Sequence, residues 1–167
     1  VHVFDGKLYI YPSHDWESGI AENDNGDHFN MKDYHVYSTD DVMNGEIKDY
    51  GVVLSTEDIP WAGRQLWDCD VAFKDGKYYM YFPLKDQNDI FRIGVAVSDT
   101  PYGPFIPEEN PMKGSYSIDL LCLTMGMVTI ISILVDCGAV NSNVTGIIRR
   151  WNRPFYRKVR KKPCPHA

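Results

Sequence analysis

The sequence predicts an all-β protein built from a repeated antiparallel unit, and three observations carry that prediction. Short aromatic and β-branched runs, "KLYIY", "DYHVYS", "GVVLS", "VAFKDGKYYMYFP" and "RIGVAVS", are separated by Gly, Asp, Asn and Pro. No window of residues 1–119 sustains a helical period. The stretch "HVFDGKLYIYPSHD" from His2 to Asp15 is echoed by "CDVAFKDGKYYMYFPLKD" from Cys69 to Asp86.

The elements follow in order from that echo. Asp5-Gly6 and Asp75-Gly76 each lie between two strand-like runs, and the Asp-Gly pair, which tolerates positive φ, predicts a tight hairpin at both places. A later strand in each copy ends in a Ser-containing turn, in "HVYSTDD" from His35 to Asp41 and in "VAVSDTPYGPF" from Val95 to Phe105. Strand, Asp-Gly hairpin, strand and a third strand make one antiparallel unit. The two turns stand 70 positions apart, which is long for one blade of a β-propeller but is accommodated by inserting the loop "DWESGIAENDNGDHF". A β-sandwich with two similar aromatic hairpins is the alternative on pattern alone.

Composition divides the chain. Its 167 residues, 44% hydrophobic and 24% charged, suffice for a globular core. Eight of the 17 basic residues but one acid, Asp136, lie in residues 120–167, which leaves net charges of −13 on residues 1–119 and +7 beyond. Ten of the 11 tyrosines lie in the first part, whereas Cys122, Cys137 and Cys164 lie in the second. The cysteines lack zinc or disulfide spacing, and no phosphate loop or Ser/His/Asp order is present. The acidic first part argues against a nucleic-acid partner.

Taken together, "HVFDGKLYIYPSHD", "IPWAGRQLWDCDVAFKDGKYYMYFP", "VSDTPYGPF" and "SYSID" resemble the first two blades and the start of the third in glycoside hydrolase family 43. The resemblance implies a five-bladed β-propeller, of which this chain holds about two blades plus the start of a third, followed by a C-terminal segment foreign to the family. It also implies an inverting glycosidase of the α-L-arabinofuranosidase, β-D-xylosidase or endo-arabinanase type, acting on arabinose- or xylose-containing saccharides; the residues themselves predict no cofactor or metal. Inversion needs a general base and a general acid about 6.5–9.5 Å apart, and a third carboxylate can tune the acid. In the family the base lies in an Asp-Pro segment just before the position of Val1, and the acid in a Glu-Gly-Pro motif that this chain lacks. The pKa-modulating Asp matches Asp119, although Leu120 stands where the family has Pro. The fragment is therefore expected to be inactive.

An explanation for the change at Asp119 lies in the codons. With one base restored before the codons allowed for "LLCLTMGMVTIISILVDCGAVNSN", the shifted frame reads "PAVFDDGNGNYYLYFGGLWGGQLQ", which supplies the expected Pro and a third aromatic hairpin. Residues 1–119 are thus expected to be a partial propeller, and residues 120–167 an out-of-frame tail, disordered or non-native. The alternative is a membrane anchor, but the apolar run from Leu120 to Val135 is shorter than the ~20 residues that span a bilayer. Basic "RKVRKK" from Arg157 to Lys162 carries no function under the frame reading.

Five further residues are candidate sugar ligands. Trp67 and Asp70 in "LWDCD" match a Trp-Ala-Pro-Asp segment of the family, which implies an aromatic platform and a cavity-lining acid; the other reading is a core Trp and a turn Asp. His14 and Asp15 end the first aromatic strand, where they either bind sugar hydroxyls or bond each other. Trp16 either stacks on a sugar or caps the packing. The run "ENDNGDHF" lacks the terminal bidentate Glu of a calcium loop and reads as a solvated acidic loop. A non-catalytic carbohydrate-binding domain and a membrane-anchored β-domain remain alternatives to the glycosidase.

Overall fold

The computed structural model describes residues 1–113 and 115 in full, together with the backbone of residues 119–125, 128–134, 149–150 and 153–154. The first blade comprises β1 (His2–Phe4), β2 (Lys7–Ile10), β3 (Ser13–Asp15), β4 (Met31–Thr39) and β5 (Lys48–Ser55). Asp5 and Gly6 have φ of 51° and 77°, the doubly positive pair of a type I′ turn, so β1 folds back on β2 with Phe4 facing Lys7. Strands β2 and β3 are one path interrupted at Tyr11-Pro12, and both pair with β4, which pairs with β5 on its other side.

A 3₁₀ turn (Thr56–Asp58) and β6 (Ala62–Arg64) lead into the second blade, made of β7 (Asp70–Lys74), β8 (Lys77–Asp86), β9 (Phe91–Ser98) and β10 (Ile106–Pro107). Its turn repeats the first, with Asp75 and Gly76 at φ of 50° and 79° and Lys74 facing Lys77. The expected repeat is therefore present at the level of turn type and register. Beyond it lie the antiparallel pairs β11 (Asp119–Met125) with β12 (Val128–Leu134) and β13 (Arg149–Arg150) with β14 (Arg153–Pro154). No α-helix occurs among the described residues, and none long and apolar enough to cross a membrane.

The core lies between the blades. From the first come Tyr9, Tyr11, Tyr34, Val36 and Leu54, and from the second Val71, Tyr78, Met80, Phe82 and Leu84. Alternation places Tyr78, Met80, Phe82 and Leu84 on the face of β8 toward the first blade, while Tyr81 joins Ala72, Ile93 and Met112 in a second cluster. This double burial is why "YYMYFPL" is an unbroken apolar run rather than an alternating one. Each fully buried large side chain contributes about 1.5–3 kcal/mol. The Tyr34 hydroxyl, 0% exposed, donates to the Trp67 carbonyl and so ties the core to the segment preceding β7. Burial pushes its phenol well above the ordinary tyrosine value.

The opposite face of the first blade is open. Residues paired directly across strands share a face, so Val3, Leu8, Ile10, Tyr37, His35 and Val52 line it; Val3 is 64% exposed and Val52 53%.

Candidate functional site

Antiparallel pairing places the start of β1, the far end of β2–β3 and the start of β4 at one end of the first blade, and the start of β7 begins the inner strand of the second. His14 and Asp70 occupy such strand ends, Trp16 directly follows β3, and Trp67 lies in the segment between β6 and β7.

The structure brings His14 and Trp16 together, their rings 4.7 Å apart, over a residue that sequence reasoning did not single out. That residue is Asp33, 7% exposed. Its Oδ1 lies 3.0 Å from His14 Nδ1, and its Oδ2 accepts a hydrogen bond of 3.3 Å from the Trp16 indole N–H. His35 completes the group, with Nε2 3.8 Å from Asp33 Oδ1 and Nδ1 3.5 Å from Asp49 Oδ1. Asp33 and His35 are two positions apart in β4, so the strand period puts them on one face. The spacing in "DYH" was the available signal. His14 meets Asp33 because β3 and β4 pair them directly.

Asp15 Oδ1 accepts the backbone N–H of Asn30 at 2.7 Å, closing the neck of the long loop. Trp16 is 49% exposed and lines an open groove of about 580 Å³ with Asp15, Glu17, Ile20 and His28. An exposed indole whose N–H is already held leaves its ring face available for stacking.

Trp67 sits half-buried between Phe29, 4.9 Å away, and Phe91, 6.1 Å away, with no hydrogen-bond partner for its buried indole nitrogen. Its ring thus packs between the long loop and the second blade. Asp70, 9% exposed, contacts His2 Nε2 through its carboxylate and accepts the Val71 N–H at 3.0 Å. His2, absent from the predicted set, joins the starts of β1 and β7. Asp119 opens β11, and its side chain lies outside the described residues.

The loop before β4 is held in place by β6 and its neighbour. Gln65, 3% exposed, donates to the carbonyls of Gly26 and Phe29 at 2.7 and 2.8 Å. Arg64 bridges Asp27 at 2.7 Å and Asp89 at 2.7 Å. Hydrogen bonds from Arg64 hold both carboxyls below their ordinary range, with Asn25 assisting at Asp27. Within "ENDNGDHF", Asn23 Oδ1 accepts the N–H groups of Asn25 and Asp27, and the Asp27 carboxylate is taken by Asn25 and Arg64. Burial pushes the Cys69 thiol far up, so this cysteine is no nucleophile at neutral pH.

No family model matches the chain. Over 119 residues, 71% of its length, it is 95% identical to a xylosidase/arabinosidase of Bacteroides ovatus. The chain belongs to glycoside hydrolase family 43. Its structure resembles that of the β-xylosidase RS223, with a TM-score of 0.76 and 61% identity over 87% of this chain. It also resembles a family 43 β-xylosidase/α-arabinofuranosidase from a compost microbial metagenome, solved with xylotriose, with a TM-score of 0.75 and 62% identity over 78% of this chain. The chain spans 37% of the Bacteroides relative and 50% and 39% of the two solved family 43 chains. The two blades are thus a part of the family propeller.

Proposed function

We propose that this chain is part of an inverting glycosidase that hydrolyses xylosyl or arabinosyl linkages in oligosaccharides. The observation that carries the reading is the duplicated blade, whose strand ends and adjoining segments hold His14, Trp16, Trp67 and Asp70, in a chain whose relatives are named xylosidase/arabinosidase. Xylotriose, the compound in one of the related structures, suggests the substrate class. In this reading the Trp16 ring stacks on a sugar, His14 and Asp15 contact hydroxyls, Trp67 shapes the floor and Asp70, held by His2, lines the cavity. Asp119 raises and steadies the general acid, which lies on a blade this chain does not carry, as does the base on a segment it does not carry.

Residues 120–167 are, in the same proposal, out-of-frame translation. The curated matches support it, since the three most extensive cover 119 residues, the length of the acidic part.

The test is to sequence the gene upstream of Val1 and across the codons of Asp119 and Leu120, and to assay the frame-restored product, extended to include the upstream Asp-Pro segment, on aryl β-xyloside and α-arabinofuranoside. The expected result is hydrolysis with inversion, and a kcat about 10²-fold lower in D119N, with the limb of the pH profile set by the general acid displaced. A confirmed frame as written sinks the tail reading. A frame-restored protein that binds xylotriose without hydrolysing either glycoside sinks the enzyme reading in favour of a sugar-binding domain.

A further inference from the structure

His14, placed above at a sugar hydroxyl, turns its Nδ1 into a group with Asp33 and His35. Each presents one ligand atom, and the three atoms lie within 4.8 Å of one another. A divalent transition ion bonded at about 2.0–2.1 Å sets neighbouring ligand atoms about 3.3 Å apart in a tetrahedron. The observed separations from Asp33 Oδ1, 3.0 Å to His14 Nδ1 and 3.8 Å to His35 Nε2, bracket that edge.

The outer shell points the same way. A metal-bound imidazole characteristically has a polar partner for its other ring nitrogen, and His35 Nδ1 lies 3.5 Å from both Asp49 Oδ1 and the Tyr37 hydroxyl. The Tyr37 ring stacks on the His35 ring at 5.9 Å and 21°, which fixes the imidazole plane. Asp33 uses Oδ2 to accept the Trp16 N–H, leaving Oδ1 turned toward both histidines. His14 has a half-exposed side chain, so the open side of the group faces solvent and admits an ion and a water.

We propose that His14 Nδ1, Asp33 Oδ1 and His35 Nε2 bind a divalent transition-metal ion of the zinc class, with water in the fourth position. Two imidazoles and one carboxylate select zinc, nickel or copper over calcium, which requires six or more oxygen ligands. Binding crosslinks β3 to β4 and clamps the base of the loop that carries Trp16.

Cobalt(II) titrated into the purified 167-residue chain is the test. Expected are the visible d–d bands of a low-coordinate Co²⁺ site, saturating at one equivalent, abolished by Zn²⁺ and untouched by Ca²⁺. H14A and H35Q should each remove the bands, and H14A should melt at the wild-type temperature in metal-free buffer because its side chain is half-exposed. Zn²⁺ should raise the melting temperature of the wild type but not of H14A. Absence of the bands overturns the proposal, as does their survival in both variants. A thiolate-to-cobalt charge-transfer band would also overturn it, by assigning the ion to cysteine.

Discussion

Gly94→Ala adds one methyl group at a crowded point of the second blade. Gly94 pairs directly with Phe82 across β8 and β9, and the Phe82 ring folds down over it. A Cβ on residue 94 would come 2.9 Å from Trp61 Cζ2 and well inside contact distance of Phe82 Cε2 and Cζ. Phe82 has nowhere to go, being 0% exposed, 6.4 Å from the Tyr34 ring and stacked on Trp61 at 6.3 Å and 8°. Overpacking of this kind costs about 1–3 kcal/mol. Alanine recovers about 0.5–1 kcal/mol through its smaller entropy loss on folding. At mid-range the net loss is about 1.25 kcal/mol, or roughly 2.5–5 °C in Tm for a chain of this size. Urea denaturation followed by tryptophan fluorescence measures it. F82L removes the obstructing ring edge, so G94A in that background should cost less, by at least about 0.5 kcal/mol of coupling. A neutral or stabilising G94A, or a penalty unchanged in F82L, refutes the argument.

Three further outcomes are expected. Q65A removes both donors to the Gly26 and Phe29 carbonyls, at about 1 kcal/mol each, and should make residues 17–29 cleavable by protease while the blades stay resistant; equal resistance contradicts this anchoring. The depressed carboxyls of Asp27 and Asp89 stabilise the fold fully above their unfolded value of about 3.9, and that contribution is lost as pH falls through their lower folded values. Acidification below about pH 4 should therefore release the loop and change Trp67 fluorescence, and R64M should flatten that pH dependence; superimposable profiles would disprove it. For the sugar-binding reading, W16A in the frame-restored protein should weaken xylotriose binding by about threefold to tenfold, whereas W16F, which keeps a stacking ring, should retain most of it. Calorimetry showing W16A unchanged would remove Trp16 from the site.

The repeat was legible because it is written in local chemistry. Asp-Gly needs no tertiary partner to form a type I′ turn, and the aromatic runs flanking Asp5-Gly6 and Asp75-Gly76 declare strands by alternation and β-propensity. Family resemblance added what local chemistry lacks, the number of blades and the roles of residues. Asp33, His35 and Gln65 escaped notice for a different reason. Their partners lie across strands or loops, at His14, Asp49 and the Gly26 carbonyl, and no short window of sequence contains both members of such a pair.

By itself, the sequence determined the strand-rich class, the two turns and their register, and the break in charge and composition after Asp119, because each depends on neighbours in the chain. Only tertiary structure decided that Tyr34, Phe82 and Met80 share one core, that Trp67 is wedged between Phe29 and Phe91, and that two histidines converge on a buried carboxylate. Burial and convergence are set by which strands pair and which faces meet, and those are properties of the folded sheet rather than of any segment within it.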